Sequence, residues 1–435
     1  MPKISAGMIV QRALGNRERS MIRRSLWVTF FFILGFFFYY CLILVANRQL
    51  SSADFGRFYT AWTILNIIGT PGGIVVLLLA GYFGKAFRQG DKPLLIAALF
   101  ASARQIVIPT AIFLGLLELG FTIGGRAFGL DSSLLALFLP LVAVASFFVE
   151  VIRATFQGAL QFTRYGVYWA LWCGLQLTLG SLSVLWLKAP WAVFAGMLAA
   201  SVLAFVWLLR TALRGLPEAT MSLEVQRLTF DHFLPFCSAL LGAILFINID
   251  ILVSYLLFSP AVNGEYAASA FLTKAMITAT QPVLQIMIPL IAHAEEAPVG
   301  RHFVTLKAIG VGAALTLSGA VFLWVGGAKQ ICGGRYGVQY CDIPVMKLLA
   351  LAAIPLTTLR IWVVSDAMSR RYAAAQLAYP AVAIFVFLAL RGGFNAFSLA
   401  VMYCCCCWGA LALRASLQLL TTVRAVEEQS SKEYE

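Results

Sequence analysis

Phe230-Asp231-His232-Phe233-Leu234-Pro235 opens the stretch that decides the fold. An apolar run follows to Phe258. A short turn comes next, Ser259-Pro260-Ala261-Val262-Asn263-Gly264-Glu265-Tyr266, and then a second apolar run to Pro289. Each run is long enough to cross a bilayer, which takes about 20 apolar residues as a helix. Pro, Asn and Gly between them predict a tight turn, so the two runs read as an antiparallel helical hairpin. Asp250 lies inside the first helix and Lys274 inside the second. Each costs about 2.5–3.5 kcal/mol to insert, so each needs a reason to be there. At 1.5 Å per residue, Asp250 sits about 12 Å from the turn and Lys274 about 15 Å. At that matched depth the two are expected to pair, either as a structural salt bridge or with a role in ion coupling.

The turn has an echo near the N-terminus. Leu50-Ser51-Ser52-Ala53-Asp54-Phe55-Gly56-Arg57-Phe58 aligns with Phe258-Ser259-Pro260-Ala261-Val262-Asn263-Gly264-Glu265-Tyr266. Ser, Ala, Gly and an aromatic recur at the same spacing, and Asn66 falls opposite Lys274. The placement, opening the second helix of each half, points to a duplicated transporter-like unit. Of the 435 residues, 61% are hydrophobic and 12% charged, which marks a polytopic membrane protein. About twelve runs reach bilayer length. The predicted fold class is all-α, with two six-helix lobes of like topology. The predicted parts are a basic arm (1–25), a first lobe (26–213), a polar linker (214–229), a second lobe (230–421) and a tail (422–435). No soluble catalytic domain fits between the helices, and no enzyme activity is expected.

Lys and Arg set the orientation. Lys3, Arg12, Arg17, Arg19, Arg23 and Arg24 crowd the N-terminus, and Lys85, Arg88, Arg164, Arg210, Arg301 and Arg424 fall on the same side. Both termini are therefore expected in the cytoplasm. The net charge of +13 reflects this bias and contact with anionic lipid headgroups, not nucleic acid.

Several residues stand out at depth. Asn66 and Pro71 in the second helix, and Gln281 and Pro282 in the eighth, mark paired helix interruptions. These line a central pathway, or else they let helices pack closely. Arg104 lies about 15 Å from the cytoplasmic end of the third helix, too deep to snorkel comfortably. Glu150 and Arg153, three apart on one helical face, are expected to pair, and Arg153 could instead guard the cytoplasmic mouth. Arg360 in the tenth helix is within snorkelling range of the cytoplasmic end, with Asp366 at the edge. Cys332 and Cys341 bracket an outer loop and are a disulfide candidate. Cys404 to Cys407 point apart on a helix and read as small apolar fillers, and His232, His293 and His302 are dispersed, so no metal site is expected. No Walker A pattern occurs, and no cofactor is called for.

These features have a family. Gln49-Leu50-Ser51-Ser52-Ala53-Asp54-Phe55-Gly56-Arg57-Phe58 resembles the turn after the first helix of bacterial polysaccharide flippases. Phe233-Leu234-Pro235, Asn248-Ile249-Asp250 and Gly264 to Ala270 resemble the opening of their second half. The whole topology is similar to a Wzx-type (O-antigen flippase) member of the multidrug/oligosaccharidyl-lipid/polysaccharide exporter superfamily. The resemblance implies an inner-membrane flippase for an undecaprenyl-diphosphate-linked glycan, working beside a polysaccharide polymerase and export components. It implies a cationic cavity between the lobes, with Arg104, Arg153, Lys274 and Arg360 as substrate-binding candidates. Asp250 and Glu150 are the ion-coupling candidates. The tenth helix and the loop before it depart from the pattern, which puts Arg360 in most doubt. An ion-coupled multidrug antiporter of the same superfamily would want an acidic cavity. A membrane glycan polymerase or ligase would want a larger external loop.

Overall fold

The computed structural model describes residues 6–88, 107–126, 133–158, 161–214, 233–284, 298–332, 338–369 and 371–433. They form an all-α polytopic membrane protein. The N-lobe holds α1 (Ala6–Gln49), α2 (Ser52–Arg88), α3 (Ile108–Arg126), α4 (Ser133–Gly158), α5 (Phe162–Leu187) and α6 (Pro190–Arg214). The C-lobe holds α7 (Phe233–Leu257), α8 (Pro260–Thr278), α9 (Pro298–Phe322), α10 (Ile343–Met368), α11 (Ala378–Arg391) and α12 (Ala396–Glu433). By length and composition, 8 spans among the described residues can cross a membrane. Arg104, most of the expected linker, His232 and His293 lie outside the described residues.

The duplication read from the two turns is visible in the packing. In the N-lobe α1 packs on α5, α5 on α6, α2 on α4, α4 on α6, and α3 on α4. In the C-lobe α7 packs on α11, α11 on α12, α8 on α10, α10 on α12, and α9 on α10. Shifting every label by six turns the first set into the second, so the lobes share one topology. Small residues permit the closest approaches. A Cβ at Gly196 would lie 2.5 Å from the Leu179 carbonyl oxygen, so α5 and α6 touch through backbone.

The aromatic wall of α1 divides by face. Phe30, Ile33 and Phe37 point outward, where a lipid belt is expected, while Phe32 and Phe36 stack against Trp169 of α5. The lobes meet chiefly where α2 packs on α8 and α7. Near the turn end, α9 runs into a wide helical turn, Leu323–Gly327, and a short helix, Ala328–Ile331. Cys332 and Cys341 form the disulfide, with Cα atoms 5.9 Å apart. Asp342 then caps α10, its carboxylate accepting from the Val345 N–H at 3.3 Å.

One expectation changes. The sequence predicts matched interruptions in the second and eighth helices. α8 does stop at Thr278, and after a turn at Ala279 and Thr280 the chain is helical again from Gln281. α2 instead stays helical through Pro71. A proline removes one backbone donor, and a membrane helix can re-satisfy the freed carbonyls locally. The carbonyl freed by Pro71 is that of Ile67, four residues before it.

Candidate functional site

The hairpin of α7 and α8 brings its two charges together. Lys274 Nζ donates to Asp250 Oδ1 at 2.8 Å and to Asn248 Oδ1 at 3.4 Å. The Tyr266 hydroxyl donates to the other Asp250 oxygen at 3.4 Å. Asp250 is 1% exposed and Lys274 8%, so the pair is shielded from both water and lipid. Such a pair offsets two large desolvation costs only when both partners are present and hydrogen-bonded. α12 closes the site: Tyr403 donates to the carbonyls of Phe246 and Ile247 at 2.7 and 3.0 Å, which pins α7 from behind.

The two echoed turns face each other. A Cβ on Gly264 would run into the Ser52 carbonyl, and one on Gly56 would lie 2.9 Å from the Gly264 nitrogen. Only glycines allow α2 and α8 to cross this closely. Hydrogen bonds fasten the crossing. Ser52 Oγ donates to the Ala261 carbonyl at 2.7 Å, and Asn263 Nδ2 donates to Thr60 Oγ1 at 3.3 Å. Asn47, fully buried, pairs through both amide atoms with the backbone of Gln339, at 3.2 and 2.7 Å. Further along α2 the face opens. Asn66 is exposed, and a Cβ at Gly69 or Gly73 would meet nothing within 4 Å. These positions fall at i, i+3 and i+7, one helical stripe.

Tyr39 of α1 borders this stripe, and Arg360 of α10 lies at the α8 break. Tyr39 donates to Asn66 Oδ1 at 3.4 Å. Tyr40 lies against Phe271 across the lobe boundary, with ring centroids 6.1 Å apart. Arg360 donates to Gln281 Oε1 at the break. Pro282 is buried beside it. Among the described residues, Arg360 thus has a neutral polar partner and no carboxylate within salt-bridge distance. Arg153 is placed differently. Its guanidinium bonds Glu150 at 2.5 Å and is sandwiched between Tyr165 and Trp169, 4.4 and 4.7 Å from their ring centres. At 1% exposure it sits inside the N-lobe and presents no surface to the open stripe.

No family model matches the chain, and no curated protein matches it in sequence. Solved structures do match. An inward-facing multidrug resistance MATE family transporter of the MOP superfamily superposes with a TM-score of 0.66 at 12% identity, covering 90% of this chain and 96% of that one. An outward-facing multidrug resistance MATE family transporter gives 0.63 at 12%, over 93% and 96%. The eukaryotic MATE transporter AtDTX14 gives 0.63 at 13%, over 91% and 95%. The chain has the MATE fold.

Within the MATE fold, one charged pair escaped the sequence reading. Arg414 of α12 donates to Asp366 of α10 at 2.6 Å and to Gln418 at 3.0 Å, with its guanidinium 5.0 Å from the Trp362 ring centre. Asp366 reads as an edge residue from α10 alone, yet it is 6% exposed because α12 covers it. Tyr39 and Tyr40 of α1 also make contacts that their sequence context does not mark out. In this MATE fold the Tyr39 hydroxyl reaches Asn66 of α2, and the Tyr40 ring meets Phe271 across the lobe boundary. The signal available was a pair of amphipathic rings in an otherwise Phe-rich helix.

Proposed function

We propose that the protein is a flippase that carries a lipid-diphosphate-linked oligosaccharide across the bacterial cytoplasmic membrane for surface or exopolysaccharide export. Alternating access of the two lobes moves the headgroup, with both chain termini in the cytoplasm. The observation that carries this reading is a charge imbalance. Three deep acids, Asp250, Glu150 and Asp366, are each neutralised by a cation, Lys274, Arg153 and Arg414. Arg360, at the α8 break, has a neutral partner in Gln281. The net charge offered between the lobes is therefore positive among the described residues. That suits a diphosphate and repels the organic cations an acidic cavity would take.

The chemistry is substitution of hydration. A diphosphate cannot enter hydrocarbon unaided, because burying its charge is costly. Arg360, with the hydroxyls of Tyr39 and Tyr40 and the amides of Asn66 and Gln281, supplies donors in place of water while the prenyl tail stays in lipid. Arg104 is proposed as the companion contact from the N-lobe. The tied turn ends and the open stripe correspond to the state open to the cytoplasm. Asp250 or Glu150 would carry a coupling ion in the cycle, since releasing either from its cation exposes a carboxylate.

The test is flipping of a lipid-diphosphate glycan in proteoliposomes. Arg104→Ala is expected to insert normally and lose flipping, while Arg104→Lys retains part, because charge survives but the two-pronged donor does not. Normal flipping by Arg104→Ala at wild-type protein level removes that residue from the mechanism. Wild-type vesicles that extrude a cationic dye and flip no glycan overturn the reading in favour of a multidrug antiporter.

A further inference from the structure

A cavity of about 30 Å³ lies inside the C-lobe, between α7, α10, α11 and α12. Its walls include Phe246, Ile247, Trp362 and Ala410, and two guanidinium groups reach it, Arg360 and Arg414. None of its lining residues is acidic. The nearby carboxylate is Asp366, and it is bound to Arg414. Two cations thus share one anion in an apolar interior. An unneutralised charge there is costly, and proteins normally pair it.

The donor geometry is unfinished in the same place. Arg414 is 5% exposed; one of its amino groups serves Asp366 and the other Gln418, while its Nε has no hydrogen-bond partner. The wall offers no spare acceptor at Phe246 or Ile247, whose carbonyls already accept from Tyr403. The volume is more than the roughly 10–15 Å³ that one water needs. The same space admits a bare halide. We propose that this C-lobe cavity binds a chloride-sized monovalent anion between Arg360 and Arg414. The anion completes the charge balance of the lobe and accepts the free Arg414 N–H. The site shares Arg360 with the proposed glycan contact, and its detection requires no transport.

Bromide is the probe. Wild-type protein in lipid nanodiscs is unfolded by heat while potassium bromide replaces potassium gluconate at constant ionic strength. A ligand that binds only the folded state raises the midpoint by mass action, here by about 2 °C or more with saturation. Ala410→Phe fills the cavity without removing a charge and is expected to abolish the rise. An identical midpoint in bromide and gluconate overturns the proposal, as does an unsaturable rise or a rise retained in Ala410→Phe. Crystals grown in bromide give an answer independent of any variant. An anomalous peak between Arg360 and Arg414 supports the site, and its absence there overturns it.

Discussion

Asp250 and Lys274 show how a buried charge pair constrains its neighbours. Removing one partner leaves the other charge uncompensated in a closed site, at a cost of about 3–5 kcal/mol. Asp250→Asn and Lys274→Met are therefore each expected to lower the thermal midpoint in nanodiscs strongly. The double variant is expected to recover most of the loss. A double-mutant cycle on the unfolding midpoint checks this, and additive losses would reject the pairing. Arg360 belongs to the opposite class, a cation held by neutral partners. Arg360→Ala removes charge from the proposed cavity but breaks no ion pair. It is expected to reduce glycan flipping at least tenfold while protein level stays near wild type, with Arg360→Lys between the two. Unchanged flipping in Arg360→Ala would show that the headgroup does not contact this side chain.

At the scale of elements, the crossing of α2 and α8 depends on two glycines. A side chain at Gly264 would strike the backbone of Ser52, which cannot move aside as a flexible side chain can. Gly264→Val is expected to cost about 1–3 kcal/mol by overpacking and to part the turn ends. Thr60, now 1% exposed beneath the crossing, reports on this directly. A cysteine introduced by Thr60→Cys should label slowly with a water-soluble thiol reagent, and much faster when Gly264→Val is added. Equal labelling rates would mean that the crossing does not seal this end. The same two glycines were the strongest element of the repeat seen in the sequence. Their recurrence has a packing reason, since each fills the position where the partner backbone arrives.

For the whole molecule, three hydrogen-bonded ties between the lobes lie at the turn end: Ser52 with Ala261, Asn263 with Thr60, Asn47 with Gln339. The proposed alternating access would have to break all of them. A short bifunctional thiol linker between cysteines placed by Ser52→Cys and Ala261→Cys should therefore abolish flipping while leaving glycan binding from the cytoplasmic side intact. Flipping that persists after quantitative linkage would exclude a mechanism in which this end opens. Asn47→Ala removes one tie and a buried amide together. It is expected to shift the population towards the outward-open state, measured as faster labelling at Thr60→Cys.

Some of this was legible along the chain. Bilayer-length apolar runs fix the membrane class, because every backbone polar group in lipid must be satisfied inside its own helix. The matched depth of Asp250 and Lys274 follows from a hairpin, whose geometry is local. The Glu150–Arg153 pair is legible for the same reason, being one turn of a single helix. The rest depends on contacts between helices far apart in sequence. Arg153 looked like a gate residue until α5 supplied Tyr165 and Trp169 to bury it. Asp366 looked peripheral until α12 brought Arg414 across it. Tyr40 meets Phe271 only because α1 lies against the C-lobe. Amphipathic periodicity is weak in helices that are apolar all round, so the sequence could place each charge at a depth but not on a face. The face, and with it the choice between a paired charge and a free one, was decided by tertiary packing.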